Sequence, residues 1–178
     1  MRAGRAKIEV LTGNIVDLKV DAYLNPANDL LWMGGGVSAL IRHACGKSVE
    51  DEAASHAPAQ IGDAIVTGGG SSQAGHIIHA VVSGQDLVSS ESAVEKAIAG
   101  AIRTADDKMC ASIAIPLPAT EHGGIEIHRL ASLCVKVLVH YLINENKNLT
   151  RCVFVDANKD NSEIIRESLM EMFSSHDR

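Results

Sequence analysis

Residues 21–44 read DAYLNPANDLLWMGGGVSALIRHA. Asp21 to Leu24 is a short strand-like run, and Asn25-Pro26 is a turn pair that ends it. Gly34-Gly35-Gly36 follow, and beyond them Val37, Leu40, Ile41 and Ala44 recur on one face of a helix. Gly46 stops that helix from the residue after its last turn. Strand, glycine loop and helix make the repeating unit of an α/β domain.

The same alternation extends in both directions. Lys7 to Leu11 is a strand ending at Thr12-Gly13. Ser48 to His56 is a second helix, closed by Pro58. Ala64 to Thr67 is a strand that runs into Gly68-Gly69-Gly70, and His76 to Val82 is a buried apolar strand. Ser92 to Glu95 forms a capping box for a helix that buries Val94, Ala97, Ile98, Ala101, Ile102 and Ala105. Ser112 to Ile115 is a strand ending at Pro116, and Ala119 to Gly124 is a loop. The stripe Ile127, Leu130, Ala131, Cys134, Val135, Leu138, Val139 and Leu142 is a core-facing helix rather than a partner-binding face. Cys152 to Val155 is the last strand, and a helix from about Ser162 buries Ile165, Leu169, Met172 and Phe173. The pattern predicts one three-layer α/β/α sandwich over 1–178, with a central mixed, mostly parallel sheet. Residues 1–6 and the tail from Ser174 are expected to be loose.

Composition narrows the function. The chain has 178 residues, a net charge of −6 and no polybasic stripe, which argues against duplex nucleic acid as a partner. Only 3% of residues are aromatic, too few for a platform that stacks single strands. No apolar run approaches the roughly 18–20 residues that span a bilayer, and the basic N-terminus has no apolar segment behind it. The chain is thus expected to avoid membranes. Cys45, Cys110, Cys134 and Cys152 are scattered in apolar contexts, so they read as buried thiols of a cytoplasmic protein, with no metal site.

Gly34–Gly36 and Gly123-Gly124 both lead from a strand-like segment into a helix. Such a helix start offers free N–H groups to phosphate, and two of them suggest two walls around a diphosphate. The Walker G-x-x-x-x-G-K-[ST] is absent, and no G-x-G-x-x-G follows the first strand, so a P-loop ATPase and a Rossmann dehydrogenase are disfavoured.

Gly13-Asn14-Ile15, Asp21-Ala22-Tyr23-Leu24-Asn25-Pro26-Ala27-Asn28 and Gly34-Gly35-Gly36-Val37 together resemble a macro domain. The likeness continues through Gly62–Gly68, Ile77–Val81, Ser112–Pro116 and the Thr120–Gly124 loop, and it favours the small stand-alone bacterial or archaeal type. It implies binding of ADP-ribose, free or on a mono-ADP-ribosylated protein, without a cofactor. Alternatives are an ADP-ribosyl hydrolase, an ADP-ribose 1″-phosphate phosphatase, or a divergent member with an altered or lost ligand. By resemblance Asn14 and Ile15 stand at the adenine end, and Asn28 at the distal ribose. Gly34, Gly35, Gly36 and Val37 form one phosphate wall; Thr120, Glu121, His122, Gly123 and Gly124 form the other. Asn28 and Glu121 are the candidate catalytic residues.

Several positions depart from the family pattern. Asn14 replaces an Asp that would accept from the adenine amino group, keeping an acceptor oxygen but losing its charge. Ser38 and Arg42 stand where one hydrolase subgroup carries Asp and His. Glu121 replaces a glycine beside the diphosphate, a repulsive placement unless Arg42 or His122 meets it. Ala157 replaces an aromatic that would stack on adenine, forgoing about 1–3 kcal/mol. His79 reads as a satisfied core histidine, while His43 and His56 read as solvent-facing.

Overall fold

The computed structural model describes residues 1–118 and 124–174. Its strands are β1 (Arg2–Ala3), β2 (Ala6–Thr12), β3 (Ala22–Asn28), β4 (Ala64–Gly68), β5 (His76–Ser83), β6 (Ser112–Ile115) and β7 (Arg151–Asp156). Its helices are α1 (Gly36–Cys45), α2 (Lys47–Ala54), α3 (Glu91–Asp107), α4 (Ile127–Asn144) and α5 (Lys159–Ser174). The strands form one sheet in the order β1-β2-β7-β6-β3-β5-β4. β2, β7, β6, β3 and β5 run parallel, and the edge strands β1 and β4 run antiparallel to their neighbours.

Side-chain alternation builds the layers. Leu24, Ile78, Ile113, Ile115 and Phe154 join one core with residues of α3, α4 and α5. Tyr23, Ile77, Ala114 and Val155 join a second core with Ile41 and Cys45 of α1 and Ile15 of a 3-10 turn. The expected α/β/α sandwich with a mixed, mostly parallel sheet is therefore what the chain forms. The cores are aliphatic, as scarce aromatics require; the four cysteines are free and buried, and burial pushes the Cys134 thiol up to about 12.

Four local expectations need correction. The first six residues are not loose: β1 pairs with β2, and Ala3 and Ala6 are buried. β3 does not stop at Asn25-Pro26 but runs to Asn28. β6 pairs only with Ala22 and Tyr23, so β3 has an open side beyond them, where a proline costs no ladder bond. The cap of α3 is Ser90, whose hydroxyl accepts from Ala93 N at 3.1 Å, so Ser92 lies inside the helix. Finally, α5 starts at Lys159 because the Asn158 side chain accepts from Asp160 N at 2.8 Å.

His79 is the satisfied core histidine the sequence suggests. It is fully buried; Asn25 Nδ2 donates to Nδ1 at 3.0 Å, and Nε2 faces Thr67 Oγ1 at 3.0 Å. Burial, with a smaller contribution from His56, depresses its pKa to about 4. The unfolded chain thus binds an extra proton here between about pH 4 and 6.5, so this stability is complete above pH 6.5 and lost as pH falls toward 4. At pH 4.5 the loss should be about 2–3 kcal/mol. Urea titrations at pH 7 and 4.5 should show a smaller acid loss in His79→Gln than in wild type; equal losses would refute the assignment.

Candidate functional site

The carboxyl ends of the parallel strands carry the residues singled out by the glycine pattern. A bulge between Ala27 and Asn28, where β3 shifts register against β5, re-aims the strand end. Asn28 is 6% exposed there. Its Oδ1 accepts from Leu30 N at 3.1 Å, and its Nδ2 donates to the Trp32 carbonyl at 2.9 Å. The chain then turns through Leu31 at φ 61°, a left-handed conformation held by complete burial of the leucine side chain. Met33 N donates to Glu50 Oε2 at 2.7 Å, which pins the entry to the glycines.

Gly35 is extended, and Gly36 opens α1 at φ 54°, where a side chain would be strained. The first backbone bond of α1 runs from Ala39 N to Gly35 O. The N–H groups of Gly36, Val37 and Ser38 precede it, so the helix does not use them, and they suit an anion.

A shallow cleft of about 660 Å³, counted to its open mouth and including open solvent, lies over this loop. Asn28, Trp32, Ser38 and Gly34–Gly36 contribute to its wall, with Val37, Val82, Leu87 and Leu117 as apolar lining. Among the described residues, none that lines it carries an ionisable side chain. Ser38 Oγ is buried and has no hydrogen-bond partner among the described residues. Arg42 does not line the cleft; its Nε lies 3.4 Å from Glu50 Oε1.

The structure thus brings Asn28, Gly34, Gly35, Gly36 and Val37 together. Asn14 and Ile15 sit apart, after β2. Gly13 N donates to Asp156 O at 2.9 Å, which joins the Asn14 loop to the end of β7, where Ala157 is exposed. Ile15 is buried in the second core, so its side chain supports the loop. The Tyr23 hydroxyl, 2.9 Å from Leu18 O, ties down the same loop. Three strand spacings separate the ends of β2 and β3, roughly 14 Å, with the cleft at the β3 end. Gly124 has φ 100° and packs on the Ser89 backbone. Thr120, Glu121, His122 and Gly123 lie outside the described residues. Gly68–Gly70, also glycine-rich, faces away. β4 is antiparallel to β5 and pairs Gly68 with His76, the first residue of β5, whereas Asn28 is in register with Ser83, the last, so Gly68 lies at the opposite end of the strands.

Trp32, which lines the cleft, and its hydrogen-bond partner Gln85 are the residues that pattern reading missed. Gln85 accepts from the Trp32 indole N–H at 2.9 Å and donates to Asp29 Oδ1 at 2.5 Å. Neither lies on a periodic stripe or in a glycine loop; the one available signal was a tryptophan between an Asn turn and a glycine run in a chain with few aromatics.

Comparison with known proteins agrees with this fold. The Macro domain family model matches residues 24–134. An uncharacterized protein of Aquifex aeolicus is 32% identical over 154 residues, 86% of this chain and 92% of that protein. A macro domain-containing protein of Caldanaerobacter subterraneus is 32% identical over 144 residues, covering 78% of this chain and 82% of that one. Among solved structures, the Oceanobacillus iheyensis macrodomain with ADP superposes with TM-score 0.86 at 24% identity, over 98% of this chain and 96% of that one. The Trypanosoma brucei macrodomain in complex with ADP-ribose gives 0.82 at 22% identity, over 90% of this chain and 68% of that one. The chain belongs to the macro domain family.

Proposed function

We propose that the cleft binds ADP-ribose, free or attached to a protein. The observation that carries this reading is the wall itself: the unspent backbone N–H groups of Gly36, Val37 and Ser38 beside the half-used amide of Asn28, with no charged side chain in the described lining. Backbone donors match a diphosphate without demanding a cation. Neutral amide and hydroxyl groups match a sugar. Related folds have been solved with ADP and with ADP-ribose, which supports the same ligand class here. Ligand binding should raise the melting temperature as ADP-ribose is titrated in, with AMP as control. No shift at millimolar ADP-ribose would reject the reading.

Binding is favoured over turnover, because the described lining offers no acid or base. Glu121 is the remaining candidate for catalysis. Incubation with mono-ADP-ribosylated protein should leave the modification in place; release of free ADP-ribose that disappears in Glu121→Gln would favour the hydrolase reading. Glu121→Gly should tighten ADP-ribose binding severalfold by removing about 1 kcal/mol of repulsion. Weaker binding would make Glu121 a positive contributor.

A further inference from the structure

Trp32 is the only tryptophan in the chain, and it stays 38% exposed while lining the cleft. Its ring is nonetheless held. A Cβ on Gly34 would come within 2.7 Å of Cε3 and Cζ3, so the indole lies directly against that glycine. Its N–H is fixed by Gln85 Oε1, and its carbonyl by the Asn28 amide. Gln85 is itself fully engaged: Nε2 reaches Asp29 Oδ1 at 2.5 Å and Asn28 Oδ1 at 3.4 Å. Both of its amide hydrogens are taken and Oε1 accepts from the indole, so it acts on the wall rather than on its contents.

We infer that Trp32 is a specificity-determining residue: its ring is the surface on which the second sugar of the ligand packs, so the cleft favours ADP-ribose over ADP. The inference rests on the ADP-ribose reading above. One face of a ribose is made of C–H groups and suits an aromatic surface, while its hydroxyls point to the rim. Asn28 has spent one of its two amide hydrogens on the Trp32 carbonyl, and the other is free for a hydroxyl. The apolar ring and the polar donor therefore line the same cleft and are joined by the Asn28–Trp32 hydrogen bond. ADP has no second sugar, so removing the ring costs it no packing contact and only the ring's support of Gly34.

Calorimetric titrations of wild type, Trp32→Ala, Trp32→Phe and Gln85→Ala with ADP-ribose and with ADP test this. Trp32→Ala should weaken ADP-ribose about tenfold and ADP by less than about twofold. Trp32→Phe should recover most of the loss, and Gln85→Ala should fall between. The tryptophan emission of wild type should respond to ADP-ribose more than to ADP. Equal weakening of both nucleotides, or of neither, overturns the assignment while leaving the ADP-ribose reading intact. A wild-type protein that binds neither nucleotide overturns both.

Discussion

Asp106→Ala is expected to lower the unfolding free energy by about 4 kcal/mol, the largest single-residue loss that the polar contacts imply. The side chain is completely buried near the C-terminal end of α3. It accepts from the Tyr141 hydroxyl at 2.8 Å, Lys147 N at 2.9 Å and Asn148 N at 2.7 Å. It thereby staples the loop between α4 and β7 to the rest of the domain. Alanine leaves three donors without an acceptor, and a loss to a charged acceptor exceeds one to a neutral group. Burial alone would push this carboxyl up, but those hydrogen bonds outweigh it and hold its pKa below the ordinary value. Its contribution is therefore present at neutral pH and lost as pH falls through that depressed value. Asp106→Asn should cost about half as much, since one acceptor oxygen remains. Urea unfolding at pH 7 measures both, and a loss under about 1 kcal/mol for the alanine variant would contradict this account.

Asn28→Ala should weaken ADP-ribose about a hundredfold while leaving the fold intact. Two effects combine. The ligand loses its amide donor, and Leu30 N and the Trp32 carbonyl lose the partners that shape the turn into Gly34. Each is worth about 1–1.5 kcal/mol as a neutral hydrogen bond. Asn28→Asp separates them: it keeps the acceptor for Leu30 N but places a negative charge near the phosphates. Calorimetry on folded variants gives the numbers; unchanged affinity for Asn28→Ala would reject its role.

What the sequence made legible follows from what periodicity and glycine record. Apolar spacing reports which face is buried, so Ile127 to Leu142 and the layers above and below the sheet could be read directly. Glycine reports backbone conformation, so the turn at Gly36 could be read as well. The edge strand β1 escaped because Arg2–Ala3 is too short to have a period, although Ala3 and Ala6 are buried against the core. The extension of β3 through Pro26 depended on how far β6 reaches, a tertiary fact with no local trace. The same holds for the antiparallel sense of β4, which sends Gly68–Gly70 away from the cleft although its sequence resembles Gly34–Gly36. The bulge at Asn28 and the Trp32–Gln85 contact join residues more than fifty positions apart, and no pattern along one segment encodes such a meeting. Asp106 went unnoticed for a related reason: its partners come from the far end of α4 and the loop beyond it.

On the proposed ADP-ribose reading, the departures at Asn14 and Ala157 bear on strength rather than site. Asn14 and Ala157 are exposed at the neighbouring ends of β2 and β7, about three strand spacings from Asn28 in the case of Asn14. Affinity should therefore be concentrated at the diphosphate and second sugar, with the base held weakly. The most direct measurement is a calorimetric titration of the wild-type protein with ADP-ribose, ADP and AMP under one set of conditions. ADP-ribose binding tightest, ADP weaker and AMP weakest is the order that this cleft predicts. AMP binding as tightly as ADP-ribose, or no heat from ADP-ribose at millimolar concentration, would contradict it.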